Sequence, residues 1–271
     1  HTRTRRQRQM CIRDRVGDVA LDDTHIFRIA SMTKPIVTLA ALQLVAGGDL
    51  RLDQPMKEIL PELGEVQVVG RTGDELVFAP LARDITLHHL LTHTSGYAYD
   101  FHAEMIAELV AQEKIAGLAS DNDAFLAAPL IFQPGENWEY GINIDWAGKI
   151  VEKVSGVDLN EYVKANILRP LGMKNTSFSI NDLSADALVP LSLRDDDGNL
   201  SDVSELMPTV TDGPYLGGGG LYSNVGDYMK FMRMLLQNGQ GPDSEILPSG
   251  MVRDMFANQI GDMQVGYMPS Q

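Results

Sequence analysis

A single cysteine, Cys11, in 271 residues leaves no disulfide framework to hold this chain together. Basic residues are also scarce, 22 against 37 acidic ones, and the formal charge of −15 disfavours nucleic acid and anionic membranes as partners. No segment approaches the ~20 apolar residues that a membrane-spanning helix needs. Internal repeats and low-complexity tracts are absent. So are a Gly-x-Ser-x-Gly elbow, a His-Glu-x-x-His zinc motif and a Lys-Ser or Lys-Thr after the tetraglycine Gly217 to Gly220, which argues against three common chemistries at once. What is present is ordinary for a globular domain: 44% hydrophobic residues, 22% charged ones, and length for one large domain or two interleaved lobes.

The first fifteen residues do not match the rest. They carry Arg3, Arg5, Arg6, Arg8, Arg13 and Arg15 with one acid, Asp14, and the cysteine; setting them aside deepens the charge from −15 to −20. The arm has neither the apolar core of a signal peptide nor a helical period. A nucleic-acid-binding tail is one reading. The other, favoured because Met10-Cys11-Ile12-Arg13-Asp14-Arg15 resembles translated adapter sequence, is that residues 1–15 are non-native or disordered and lie outside the fold.

The most informative stretch is Ser31-Met32-Thr33-Lys34-Pro35. From Ile36 to Ala46 only Thr38 and Gln43 are polar, and Gly47-Gly48 closes the run, which reads as a helix apolar on nearly every side and therefore buried. Pro35 fits a first turn, where backbone N–H groups have no partner inside the helix. Three residues of helical spacing place Ser31 and Lys34 on one face, within about 5–6 Å at Cβ. A serine hydroxyl attacks only when a neighbour takes its proton, and a desolvated lysine at a helix amino terminus is suited to do so. With 14 serines and 8 lysines, chance alone supplies about 0.4 such spacings, so the position at the head of a buried helix carries the argument.

Further along, Asp84 to His93 reads as a short helix capped near Asp84 or Thr86, and Phe101–Glu113, Asp121–Ala128, Ile144–Val154, Leu159–Leu168 and Val225–Leu236 show helical spacing. Val189 to Pro214 is polar and turn-rich; its Asp195-Asp196-Asp197-Gly198 lacks the spacing of a calcium loop and reads as a solvated turn. His25, His88, His89, His93 and His102 all precede residue 103. His89 and His93, four apart, could be zinc ligands, but helix-end packing is the favoured role. Gln133-Pro134-Gly135-Glu136-Asn137-Trp138-Glu139-Tyr140 is a turn running into a tyrosine before a helix. Beside an ammonium, such a phenol can ionise and shuttle a proton.

Four stretches together resemble the β-lactamase-related serine hydrolases, the superfamily of penicillin-binding proteins, class C β-lactamases and family VIII carboxylesterases. They are Arg28-Ile29-Ala30-Ser31-Met32-Thr33-Lys34-Pro35, then Leu90-Leu91-Thr92-His93-Thr94-Ser95-Gly96, then Pro134-Gly135 with Trp138 and Tyr140, then Gly218-Gly219-Gly220-Leu221 with Ser223 and Asp227-Tyr228. The resemblance implies an α+β, β-lactamase/transpeptidase-like fold over residues 16–271, a helical lobe packed on an antiparallel sheet. It implies Ser31 as acylated nucleophile, Lys34 as the amine that activates it, and Tyr140 as base in acylation and proton donor to the leaving group. Trp138, Ile142, Asn143, Gly219 and Gly220 are the implied substrate-binding positions, with no metal and no cofactor.

Two departures refine this. The β-lactamase type places asparagine two residues after the tyrosine, where Ile142 stands here, with Asn143 one further. That favours an ester over a lactam. The family's third motif, Lys, His or Trp two residues before Gly, has no match after Gly241, since Pro248, Gln259 and Gln264 precede the remaining glycines. The domain is therefore expected to be partial, truncated at both ends with its sheet incomplete, and the piece itself inactive. The expected partner is a small ester or amide; a β-lactamase or D-alanyl-D-alanine carboxypeptidase is the alternative enzyme, a non-catalytic binding homologue the alternative of another class. The cytoplasm is favoured over the periplasm, and oligomeric state is open.

Overall fold

The computed structural model describes residues 15–16, 19–120 and 123–266. Arm residues 1–14 lie outside the described residues, as do the first two positions of the helix expected at Asp121–Ala128. Of that helix a short 3-10 turn, Ala124–Ala127, is described. Arg15, assigned to the arm, pairs through β1 (Arg15–Val16) with β2 (Val19–Ala20).

The fold is built around α1 (Thr33–Gly47), entered directly from a 3-10 turn at Ala30–Met32, with Pro35 in its first turn as expected. Thr33, Lys34, Ile36, Val37, Leu39, Ala40, Ala41, Leu42 and Leu44 are all buried, so both faces of the helix meet protein. This explains an apolar pattern with no polar side. By length and composition the segment Ala30–Gly47, mean hydropathy 1.2, would suffice to cross a membrane, contrary to the sequence expectation; half of it is buried within the fold, where it serves as the core helix. Gly48 ends α1 at φ 85, a left-handed conformation that lets its N–H reach the carbonyls of Leu44 and Val45.

Two further helices pack on α1: α4 (Asn143–Ser155) and α5 (Leu159–Val163), which continues through a π turn at Lys164–Leu168 to Arg169–Leu171. Gln43, one of the two polar residues in the apolar run, donates to the Asn166 carbonyl at 3.2 Å and to that of Ile246 at 2.9 Å. It thereby gives a carbonyl of the π turn a partner where that turn passes α1. The short α2 (Leu87–Leu91) is capped at Thr86, whose hydroxyl accepts from His89 N–H while His89 Nδ1 accepts from Thr86 N–H. His89 is a capping residue, in line with its favoured sequence role. The helix α3 (Glu104–Ala111) follows as expected but shorter.

Among the described residues, strands form four two-stranded antiparallel sheets. The pair that matters for the site is β3 (Phe27–Arg28) with β8 (Tyr222–Ser223), extended by a bridge from Tyr222 to Ser177. It ties the residues before Ser31 to those after the tetraglycine. A hairpin of β4 (Gln67–Thr72) and β5 (Glu75–Pro80) stands where the sequence suggested no strand. The turn-rich excursion is a small, largely exposed hairpin of β6 (Ser192–Arg194) and β7 (Leu200–Asp202), with Asp195 accepting from Asn199 N–H at 2.7 Å, so the acid run is a solvated turn. Helix α6 (Val225–Leu236) forms over the residues whose spacing predicts it, and α7 (Ser249–Phe256) is a helix that the sequence pattern does not predict.

Candidate active site

Ser31 sits in the 3-10 turn, exposed, while Lys34 one turn on is only 7% exposed. The Lys34 Nζ lies 3.1 Å from Ser31 Oγ, 3.0 Å from the Tyr99 hydroxyl and 2.7 Å from the Gly218 carbonyl, donating to each. Three partners match the three N–H bonds of an ammonium. They match a neutral amine equally well, with two N–H bonds on Tyr99 and Gly218 and the lone pair facing the Ser31 hydroxyl. The same three contacts therefore accommodate either form of the amine.

The surroundings fix that geometry from several directions. Ala30, just before the serine, has φ 44, a left-handed conformation unusual for a residue with a side chain, and such strain is found where a fold over-determines a functional position. Ile29 N–H donates to the Leu221 carbonyl at 3.0 Å, Leu221 N–H donates to Thr33 Oγ1 at 3.1 Å, and the Tyr228 hydroxyl donates to the Met32 carbonyl at 3.0 Å. The serine turn is therefore clamped on both sides.

Below Lys34 lies a group the sequence reading missed. Asp145, in the first turn of α4, is buried, and its Oδ1 accepts from Gly218 N–H at 2.7 Å. Its Oδ2 has no hydrogen-bond partner among the described residues. A Cβ on Gly218 would collide with this carboxylate, so only glycine lets the loop lie against it. Burial pushes the Asp145 carboxyl up to about 6, opposed by the Gly218 hydrogen bond and the nearby Lys34 charge. Gly218 thus receives Asp145 on its N–H and Lys34 on its carbonyl. The signal was available as one acid inside the apolar run Ile144-Asp145-Trp146-Ala147-Gly148.

The phenol beside the amine is not the one expected. Among the described residues Tyr99, not Tyr140, accepts a hydrogen bond from Lys34; Tyr140 presents its ring, with the centroid 4.7 Å from Nζ. Tyr99 packs edge-on to Tyr140 with centroids 5.3 Å apart and stacks on Phe101 at 4.9 Å. Trp138 and His93 also flank Tyr140, at 6.4 and 5.0 Å. The result is an aromatic enclosure around the amine, assembled from residues 93–102 and 138–140. In the sequence, Tyr99 is marked only by standing three residues after the Thr94-Ser95-Gly96 stretch.

Asn143 is placed otherwise than expected for a substrate-binding residue. It is fully buried; its Oδ1 accepts from Ser95 Oγ and its Nδ2 faces His93 Nδ1 at 3.0 Å and the Tyr97 carbonyl at 3.3 Å. Because a carbonyl can only accept, the amide orientation is set, His93 Nδ1 accepts, and the ring proton resides on Nε2. Burial, and secondarily the charge of Lys34, push His93 down to about 3, so it is neutral. Ile142 is likewise a core residue, 3% exposed. Gly219 packs beside the Ala30 backbone, and Gly220 donates its N–H to the Leu216 carbonyl at 2.9 Å. Trp138 remains half-buried next to Tyr140. Asn143→Leu should cost about 3 kcal/mol or more of stability, since it strands His93, Ser95 and Tyr97 polar groups in the core. Urea unfolding of the variant against wild type measures it.

A cavity of about 720 Å³ lies on another face, lined in part by Leu60, Glu62, Tyr97, Trp146 and Lys149. It does not include Ser31 or Lys34, and Lys149 there is paired with Asp123 and Glu152.

A serine and a lysine three apart at the head of the buried core helix, closed by a glycine loop, define a protein of the serine β-lactamase type. The family model described as Beta-lactamase matches residues 5–264, and the chain belongs to that family. It is 35% identical over 220 residues to the Monacolin J acid methylbutanoyltransferase of Aspergillus terreus, covering 78% of this chain and 52% of that protein. It is 35% identical over 261 residues to the Lovastatin esterase of Penicillium rubens, covering 89% and 61%. Among solved structures, a mutant of the simvastatin synthase LovD from Aspergillus terreus superimposes with TM-score 0.77 at 34% identity, covering 88% of this chain and 58% of that one. The chain spans between half and two thirds of the length of these proteins. They share the mixed α and β, β-lactamase/transpeptidase-like fold.

Proposed function

We propose that this chain carries the acyl-transfer site of a serine hydrolase or acyltransferase acting on carboxylic esters, with Ser31 as nucleophile and Lys34 as its base. The observation that carries the reading is the 3.1 Å contact between Lys34 Nζ and Ser31 Oγ, with the remaining Lys34 hydrogens held by Tyr99 and Gly218. Ser31 Oγ attacks the acyl carbon as its proton passes to Lys34; the Tyr140 ring face, 4.7 Å from Nζ, stabilises the ammonium that forms. The acyl–oxygen bond of the ester then breaks and the departing alkoxide takes the proton held on Lys34; water or an alcohol, giving its own proton to Lys34, next takes the acyl group and Ser31 Oγ recovers that proton.

An ester fits better than a lactam because Asn143, the amide nearest the position used by β-lactamases, is engaged inside the core. The names of the relatives support the same side: one is a methylbutanoyltransferase and another an esterase. Exposed Met32 adjoins Ser31 in the chain, and exposed Phe101 and half-buried Trp138 stack on Tyr99 and Tyr140, the two rings beside Lys34; this apolar and aromatic surface suits a substrate with a bulky apolar part.

The deciding experiment is covalent labelling of the full-length protein by a fluorophosphonate. Labelling of the wild type that disappears in Ser31→Ala, together with loss of chromogenic-ester turnover by at least about 10³-fold, is the expected result. Labelling that survives in Ser31→Ala, or a cephalosporin hydrolysed faster than the ester, overturns the reading.

A further inference from the structure

We infer that Asp145 is a positioning residue for acyl transfer: by holding Gly218 it keeps Lys34 Nζ against Ser31 Oγ. This role rests on the acyl-transfer reading above. Asp145 stands in the first turn of α4 and is 4% exposed. Its Oδ1 accepts from Gly218 N–H at 2.7 Å, and the Gly218 carbonyl accepts from Lys34 Nζ at 2.7 Å. The two side chains thus meet through one residue, and an acceptor of carboxylate type makes the first of these bonds a strong one.

A loop of four glycines needs such an anchor. Without Cβ atoms, residues 217–220 have a wide choice of backbone conformations. The loop's own bonds, from Gly219 N–H and Gly220 N–H to the Leu216 carbonyl at 3.3 and 2.9 Å, tie it to itself and to no helix. Side chains of the helices make that tie: Asp145 from α4, and from α1 Lys34 together with Thr33, whose Oγ1 accepts from Leu221 N–H at 3.1 Å. The missing side chains also let the loop lie close. A Cβ on Gly217 would strike the Ile144 carbonyl, as one on Gly218 would strike the Asp145 carboxylate. The first turn of α4 is therefore the surface on which the loop rests, and Asp145 bonds the loop to it.

The consequence falls on Lys34. Of its three hydrogen-bond partners Ser31 is the reacting one, so Tyr99 and Gly218 are left to fix the nitrogen. If Gly218 loses its anchor, Nζ is held by Tyr99 and can turn away from Ser31 Oγ. A displacement of about 1 Å at a reacting group can cost about 10²-fold in rate. The bond to Gly218 N–H asks only for an oxygen acceptor, which an amide supplies as well as a carboxylate.

The test uses the full-length protein, with chromogenic-ester kcat/KM expressed per folded molecule and the folded fraction taken from thermal unfolding. Asp145→Ala should lower kcat/KM by about 10²-fold. Asp145→Asn, which keeps the acceptor, should restore the rate to within about fivefold of wild type. In a Lys34→Met background the same alanine substitution should cost no more than about threefold, because residues that act as one unit are not additive. A merely structural role would reduce the number of folded molecules and leave the rate of each unchanged. An alanine variant as fast as wild type, an asparagine variant as slow as the alanine, or a loss in Lys34→Met as large as that in wild type, each overturns the inference while leaving Ser31 as nucleophile. If Asp145→Ala does not fold, the asparagine variant decides: a rate within about fivefold of wild type supports the anchor, and a larger fall overturns it. A wild type that fluorophosphonate does not label at Ser31 removes the acyl-transfer reading and this one with it.

Discussion

Lys34→Met should leave the protein folded and lower ester kcat/KM by about 10²–10⁴-fold. Methionine follows the lysine stem through the same buried channel, so packing is largely kept. What disappears is the one nitrogen that touches Ser31 Oγ, Tyr99 and Gly218. The serine then lacks a base, and the Gly218 carbonyl lacks its donor, at a stability cost of about 1–3 kcal/mol. Lys34→Arg makes the sharper companion. A guanidinium retains charge and hydrogen bonds but does not give up its proton near neutral pH, so it cannot receive the one on Ser31. Both variants should therefore be nearly inactive, and the arginine variant should remain the more stable. Turnover by Lys34→Arg within tenfold of wild type would show that Ser31 is deprotonated by another group.

Asp145→Asn should change stability in a pH-dependent way. The Asp145 carboxyl is raised from an ordinary 3.8 to about 6 in the folded protein, with burial the leading cause. A group raised on folding contributes stability that is fully present below its unfolded value and is lost as pH rises through the folded one. Between pH 4 and pH 7 the wild type should thus lose about 2 kcal/mol at this site, which the asparagine variant does not. Asparagine keeps an oxygen acceptor for Gly218 N–H, so the loop is preserved. His93 has the opposite slope, because burial holds it neutral at about 3 while an unfolded histidine takes up a proton below about 6.5. Subtracting wild type from variant removes that contribution. Denaturant melts of both proteins from pH 4 to pH 8 should show the difference growing in favour of Asp145→Asn as pH rises. A flat difference would mean that the carboxylate is ionised at no cost, and that water reaches it.

Much of the scaffold could be read in advance because it is written locally. The serine turn, the apolar run of α1, its glycine stop, the Thr86 cap and the amphipathic spacing of α4 and α6 each depend on residues within a few positions of one another. The hairpin β4–β5 escaped notice because most of its residues are exposed, which blurs the alternation on which strands are recognised. The turn at Thr72-Gly73-Asp74, with Gly73 at φ 59, was its one legible sign.

The site divides the same way. Ser31 and Lys34 were found from a spacing of three, whereas Tyr99 is 65 residues from Lys34 and Gly218 is 184 away. Nothing in the sequence distinguishes a tyrosine that meets the amine by its oxygen, as Tyr99 does, from one that meets it by its ring, as Tyr140 does. Asn143 illustrates the converse. Its neighbourhood in the sequence suggested a ligand contact, and only the buried contacts to His93, Ser95 and Tyr97 reveal a structural amide.

Because one nitrogen gathers neighbours from near the start, the middle and the far end of the described chain, turnover reports on the whole architecture at once. Enzymatic competence should disappear along the same denaturation curve as near-ultraviolet ellipticity, with no range of urea in which the molecule is ordered yet idle.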